Sequence, residues 1–177
     1  KKKDTGEDAA NLAAAREERE KEREENAKQK ALEKQMDFDK RVEIMKTNAT
    51  HGFMFECNNE TYKECIPDNP GNHISLGLLG SGKKRFQLMR ENIEVYTPLF
   101  LANYRTKEIC GPFFAVGRPD KNIDASAFGG RFPAQVQIMY DSSVFSKQRI
   151  ETEYFNTVVN KDNPILQVHI VNKLFEK

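Results

Sequence analysis

The segment GLLGSGKK, Gly77 to Lys84, comes close to the pattern of a loop that cradles phosphates, two glycines flanking four residues and followed by lysine. Its last position is wrong for that chemistry. Ser or Thr is needed there to hold magnesium, and Lys84 carries a cation instead. The preceding Ile-Ser-Leu is a weak strand, so a plain basic loop formed by Lys83, Lys84 and Arg85 is the preferred reading. Three adjacent cations can meet an acidic protein surface or the phosphates of RNA, above all where Arg118 or Arg131 converges on them. RNA recognition also requires exposed stacking faces, for which Phe86, Phe128 and Phe132 are the candidates, although all three also suit a core.

A second group is Asn122, Asp124, Arg131 and Gln135. Short Asx side chains imitate a turn by bonding nearby backbone, so Asn122 and Asp124 are expected to shape a loop that Arg131 and Gln135 tie to the body of the domain. Ligand contact is the alternative for this group. Cys57, Cys65 and Cys110 form no CxxC pair, and His51, His73 and His169 show no metal-ligand spacing, so neither a metal nor any other cofactor is expected. The thiols read as buried and reduced, with Cys57 and Cys65 facing the core. Asn48 and Asn59 sit in glycosylation-type triplets that carry no weight without a secretory signal. No Ser, His and acid combination has a nucleophile turn, and an enzyme is not expected.

Short apolar runs bounded by Pro, Gly, Asn or Asp must position these groups. GFMFEC, PLFLANY, ICGPFFAV and PAQVQIMY read as strands, and in the last Val136, Ile138 and Tyr140 alternate with wetter neighbours. Thr61 and Glu64 have capping-box spacing, which predicts a short helix after Thr61. PDNPGN is a loop, and LGLLGSGKK is irregular or a tight strand end. SKQRIETEYFNTVV reads as a helix with Ile150, Tyr154, Phe155 and Val158 on one side. PILQVHIV reads as a final strand carrying Leu166, Val168 and Ile170. The expected class is α+β, a small mixed β-barrel with flanking helices over residues 46–177.

Residues 1–45 differ in kind. Lys1 to Arg41 holds 12 basic and 12 acidic side chains but a single aromatic, Phe38, whereas the remainder holds 16 aromatics and all seven prolines. Only the second part can build a core. The run from Asn11 to Met45 has high helix propensity and no Pro or Gly, but from Arg16 to Asn26 it has no apolar residue. A long charged helix with weak pairs such as Glu17 with Lys21 is expected, reaching roughly 55 Å from Ala9 to Met45 at about 1.5 Å per residue. Leu32, Met36, Phe38, Val42 and Met45 supply an apolar side near its end.

The net charge of +1 excludes a generally polybasic nucleic-acid binder, and no DNA contact is expected. No run approaches the roughly 20 apolar residues of a membrane span, and KKKDTGED lacks the apolar centre of a signal peptide. The expected setting is therefore cytoplasmic, with nucleus and cilium or axoneme as alternatives.

GFMFECNNETYKECI, PLFLANY, the Asn122–Asp124 triplet and RFPAQVQI follow one another in an order that resembles the plant Development and Cell Death (DCD) domain, over about residues 52–171. The family's Phe-Gly-Leu-Pro string is replaced by Leu76, Gly77, Leu78 and Leu79, and Phe128 stands where the family often has Trp. The resemblance implies a role in development, stress responses and cell death, and it brings no reaction or ligand. A distant likeness to PUA-like barrels, which include RNA readers, holds at fold level alone. The expected function is a non-enzymatic interaction module or scaffold that meets a protein partner or large assembly through the helix and the barrel surface. A PUA-like RNA reader and a structural component of a filament or axoneme are the alternatives.

Overall fold

The computed structural model describes residues 5–67, 74–141 and 152–176. It divides into two compact units, Lys1–Asp39 and Lys40–Lys177. Helix α1, Thr5–Asn48, supplies the whole of the described first unit and continues into the second. Glu17 and Lys21 pair at 2.8 Å, one turn apart, an exposed contact of about 0.3–0.5 kcal/mol. Met36 is 65% exposed, so it does not extend the apolar side expected near the end of the arm. Met45, in the second unit, is fully buried.

The second unit is α+β. In chain order it contains β1 His51–Cys57, α2 Asn59–Cys65, β2 Ile74–Ser81, α3 Phe86–Asn92, β3 Leu99–Asn103, β4 Glu108–Ala115, β5 Asp120–Lys121, β6 Ala134–Asp141, α4 Thr152–Val158, β7 Ile165–Gln167 and α5 Val168–Phe175. The described residues also include two 3-10 turns, Lys83–Arg85 and Ala127–Gly130. The seven strands form one sheet in the order β2-β6-β4-β3-β1-β7, with β5 beside β6. β1 and β3 are parallel, with Phe53 opposite Leu99 and Cys57 opposite Asn103, and the other pairs are antiparallel. A parallel pair needs a long crossover, and α2, β2 and α3 provide it.

β1 and β3 read as continuous apolar runs because both their faces are covered. Phe53, Phe55, Leu99 and Leu101 join Leu79, Phe113, Val136, Ile138 and Tyr140 in one core. Met54, Phe100 and Ala102 point the other way and pack with Phe155, Val158, Val171 and Leu174 of α4 and α5. Of the expected wetter side of β6 only Gln137 is exposed, while Gln135 is buried and Met139 half-buried.

Several expectations are corrected. The sheet does not close into a barrel: among the described strands, β2 and β7 are its two ends and no ladder joins them. LGLLGS lies in an eight-residue strand, Ile74–Ser81, paired along its length from Ile74 opposite Asp141 to Ser81 opposite Ala134. That ladder supersedes the irregular reading. The capping box uses Asn58 and Thr61, not Thr61 and Glu64: the Asn58 side chain accepts from the Glu60 and Thr61 amides, and the Thr61 hydroxyl accepts from the Asn58 amide. PILQVHIV is a strand for only three residues before it turns into α5, so Val168 and Ile170 are helical. The helix expected from Ser146 is described from Thr152 onward, and Ile150, like most of PDNPGN, lies outside the described residues. No described helix is long and apolar enough to cross a membrane.

Candidate functional site

The glycines that suggested a phosphate loop have a packing cause. A Cβ on Gly77 would stand 2.3 Å from the Cys65 carbonyl oxygen at the end of α2, and one on Gly80 would stand 2.6 Å from the Phe128 ring. They lie on opposite faces of β2, and at each an added Cβ would collide, with backbone at Gly77 and with a buried ring at Gly80, so packing within a paired strand accounts for both glycines. Gly82 differs, since its added Cβ would meet nothing within 4 Å.

At Gly82 the chain leaves β2 and enters the turn that carries Lys83, Lys84 and Arg85. These three line an open groove of about 470 Å³ together with Glu56, Tyr104, Phe132 and Lys161. Lys83, Lys84 and Lys161 are exposed. Arg85 is held: its guanidinium donates to Glu56 Oε1 at 3.2 Å and to the Lys161 carbonyl, tying the turn to β1 and to the loop before β7. Tyr104 is 40% exposed, with the Arg105 guanidinium 5.7 Å from its ring centre. Phe132 is half-buried, with the Phe128 ring centre 5.5 Å and the Arg131 guanidinium 5.8 Å from its own centre. The groove therefore presents three solvated ammonium groups, one paired guanidinium and the margins of two aromatic rings.

Arg118, Asn122, Asp124, Arg131 and Gln135 are not among the residues that line it. Arg118 is exposed on the loop before β5. Arg131 is exposed, and its Nε donates to the Phe128 carbonyl at 3.0 Å. Asn122 takes a positive φ of 54°, a conformation Asn tolerates, and its amide donates to the Pro133 carbonyl at 2.8 Å. Asp124 accepts from the Ser126 hydroxyl and amide at 2.6 and 2.8 Å, and the Ser126 bonds hold its carboxyl below the usual value. Gln135 is 1% exposed, accepts from the Asp124 amide at 2.8 Å and donates to the Asp124 and Phe132 carbonyls at 2.9 and 3.0 Å. Its polar atoms are committed to the loop.

This loop also seats Phe128, a buried residue at φ 57° whose amide donates to the Glu64 carboxylate at 2.5 Å. Of the rings named as stacking candidates, Phe128 is core, Phe132 is half-buried, and Phe86 carries the Lys121 ammonium 4.8 Å from its centre. Glu56, Tyr104 and Lys161 were not singled out in the sequence. They come from segments 29 to 76 residues distant from Arg85 or from a bare Tyr after a strand, and no local pattern joins them.

Cys57, Cys65 and Cys110 are buried thiols, none of them in a disulfide. Burial, with smaller contributions from Cys65 and Cys110, pushes the Cys57 thiol far up, and burial next to Glu64 pushes Cys65 up to about 12. Thiolate chemistry at neutral pH is thereby suppressed for both. Among the described residues no group of three or more His, Cys, Asp or Glu could hold a metal ion.

Residues 51–175 match the family model of the Development and cell death domain. The chain is 33% identical over 98 residues to the B2 protein of Daucus carota, covering 50% of this chain and 42% of that protein. It is 30% identical over 106 residues to DCD domain-containing protein NRP-A of Glycine max, covering 54% of this chain and 26% of that protein. With DCD domain-containing protein NRP-B of Glycine max it shares 33% identity over 98 residues, 50% of this chain and 26% of that one. The chain thus spans less than half the length of these relatives. No solved structure matches it significantly. With β1 to α5 inside the matched segment, the chain belongs to the Development and Cell Death domain family.

Proposed function

We propose that the chain is a non-enzymatic protein-interaction module, a scaffold component whose DCD domain recognises a partner while α1 extends the contact or anchors the domain in a larger assembly. One observation carries this reading: the groove beside Gly82 gathers exposed Lys83, Lys84 and Lys161 around Tyr104, while its single carboxylate, Glu56, is paired with Arg85. Charge and ring edges suit recognition, and the lining carboxylate that could serve as a base, Glu56, is engaged by Arg85. A charged helix without an apolar seam suits a strut along a filament or other large surface, so filament or axonemal assembly is compatible with the same reading. The family description supports a setting in development and cell death, and a stress-response role goes with that proposal.

The test is quantitative recovery of proteins from native extract on the full chain and on a chain lacking residues 1–41. Specific protein recovery by the full chain that falls on deletion supports both parts. Equal recovery by the two chains removes the role of α1, and absence of specific protein removes the module.

A further inference from the structure

The groove fixes the chemistry of its occupant more closely than the interaction reading does. Resting on that reading, we infer that the Lys83–Lys84–Lys161 groove takes an acidic peptide segment with an apolar or aromatic residue between its carboxylates, carried on a protein partner.

Charge sets the sign. Lys83, Lys84 and Lys161 are exposed, and the Glu56 carboxylate that could neutralise one of them is engaged by Arg85. Arg85 also grips the Lys161 backbone carbonyl, so the segment carrying the third cation is fixed to the turn carrying the other two. Three ammonium groups are thus gathered around one recess without mutual pairing to a carboxylate lining it. Its volume, about 470 Å³, falls in the ~300–1,000 Å³ range of ordinary ligand clefts.

The rings decide between an acidic peptide and RNA. A base held between stacked partners needs both faces of a ring or two free rings, whereas Tyr104 already carries the Arg105 guanidinium over its ring and Phe132 is half-buried beside Phe128 and Arg131. What they offer is a partly exposed apolar wall, fit for a Phe, Leu or Met side chain. Separate carboxylates flanking one apolar residue can keep to the lysines and leave Glu56 to Arg85.

The probes are a fluorescein-labelled Asp-Glu-Phe-Glu-Asp peptide, its Asn-Gln-Phe-Gln-Asn counterpart, Asp-Glu-Ala-Glu-Asp, and a uridine decamer, titrated into the full chain by fluorescence anisotropy. The acidic Phe peptide is expected to bind best, and the amide counterpart to lose about tenfold or more in affinity. K83E/K84E should lose about tenfold or more, and Tyr104→Ala or the Ala peptide about threefold. Raising salt from about 0.05 to 0.5 M should weaken binding several-fold. Thermal unfolding of K83E/K84E, whose two side chains are solvent-exposed, should match the wild type.

Failure of all peptides to bind, or equal binding by K83E/K84E, overturns the inference. Tighter binding of the uridine decamer also overturns it and assigns the groove to RNA. Protein recovered from extract by both the full chain and K83E/K84E would leave the interaction module standing while removing this groove as its contact.

Discussion

Two glycines only five positions apart should respond to alanine in opposite ways. At Gly77 the new methyl would lie 2.3 Å from the Cys65 carbonyl oxygen, with Tyr140 Cε1 at 3.2 Å and Ile138 Cδ1 at 3.3 Å closing the other directions. Ordinary contact begins near 3.4 Å, so the carbonyl must retreat by about 1 Å. That carbonyl ends α2, whose Cys65 side chain is buried and whose next amide, on Ile66, donates to Tyr62 O at 3.0 Å. The whole helix end has to move. Backbone overpacking of this kind costs about 3 kcal/mol, the upper part of its usual range. For a domain of this size that lowers Tm by roughly 10–15 °C. At Gly82 the methyl enters open space at φ −62° and ψ 152°, an ordinary extended conformation. There Ala restricts the unfolded chain and should raise stability by about 0.5 kcal/mol, or Tm by about 2 °C. Circular dichroism melts of the two variants and the wild type measure both. A Gly77→Ala melt within about 2 °C of Gly82→Ala would refute the packing account of the glycine string.

Alkaline pH should unfold the domain through its thiols. Cys65 is raised from 9.0 to about 12 and Cys57 further still, so between pH 9 and 12 the unfolded chain loses protons that the folded chain keeps. Stability is then retained below pH 9 and falls above it by about 1.4 kcal/mol per pH unit for each thiol, which urea midpoints read at pH 8 and 10 should show and Cys65→Ala should roughly halve. Gln135→Leu strands the Asp124 amide and the Asp124 and Phe132 carbonyls, and should cost about 2–3 kcal/mol in urea unfolding. Arg85→Ala removes the tie between the turn, Glu56 and the Lys161 carbonyl. A loss of about 1–2 kcal/mol, with faster amide exchange around Lys161, is expected by hydrogen-exchange mass spectrometry.

The legible part of the fold is the part with local causes. β1, β3, β4 and β6 are short apolar runs punctuated by Pro, Gly and Asn, and covering both faces of β1 and β3 makes their runs continuous. β2 was hidden because its strand character comes from eight paired positions on β6, while its own residues include two glycines and an exposed Leu76. The last strand misled because Leu166, Val168 and Ile170 alternate over a run too short to separate the two periods, whereas Val171 and Leu174 set the buried helical face. Closure or opening of the sheet depends on what pairs at its ends, which no local string encodes. Of the groove, the Lys83–Arg85 turn was visible. Its other walls, Glu56, Tyr104, Phe132 and Lys161, assemble only through the fold. The loop from Asn122 to Gln135 was visible as a turn, and the structure shows Gln135 spent on backbone bonds.

The most direct measurement is a proton–nitrogen correlation spectrum of the labelled chain titrated with Asp-Glu-Phe-Glu-Asp. Shifts should concentrate at Glu56, Ser81 to Arg85, Tyr104 and Lys161, and leave Asp124 to Gly130 unmoved. Shifts centred on that loop or spread along α1, or none at saturating peptide, would contradict a DCD domain that works by presenting this groove to an acidic partner.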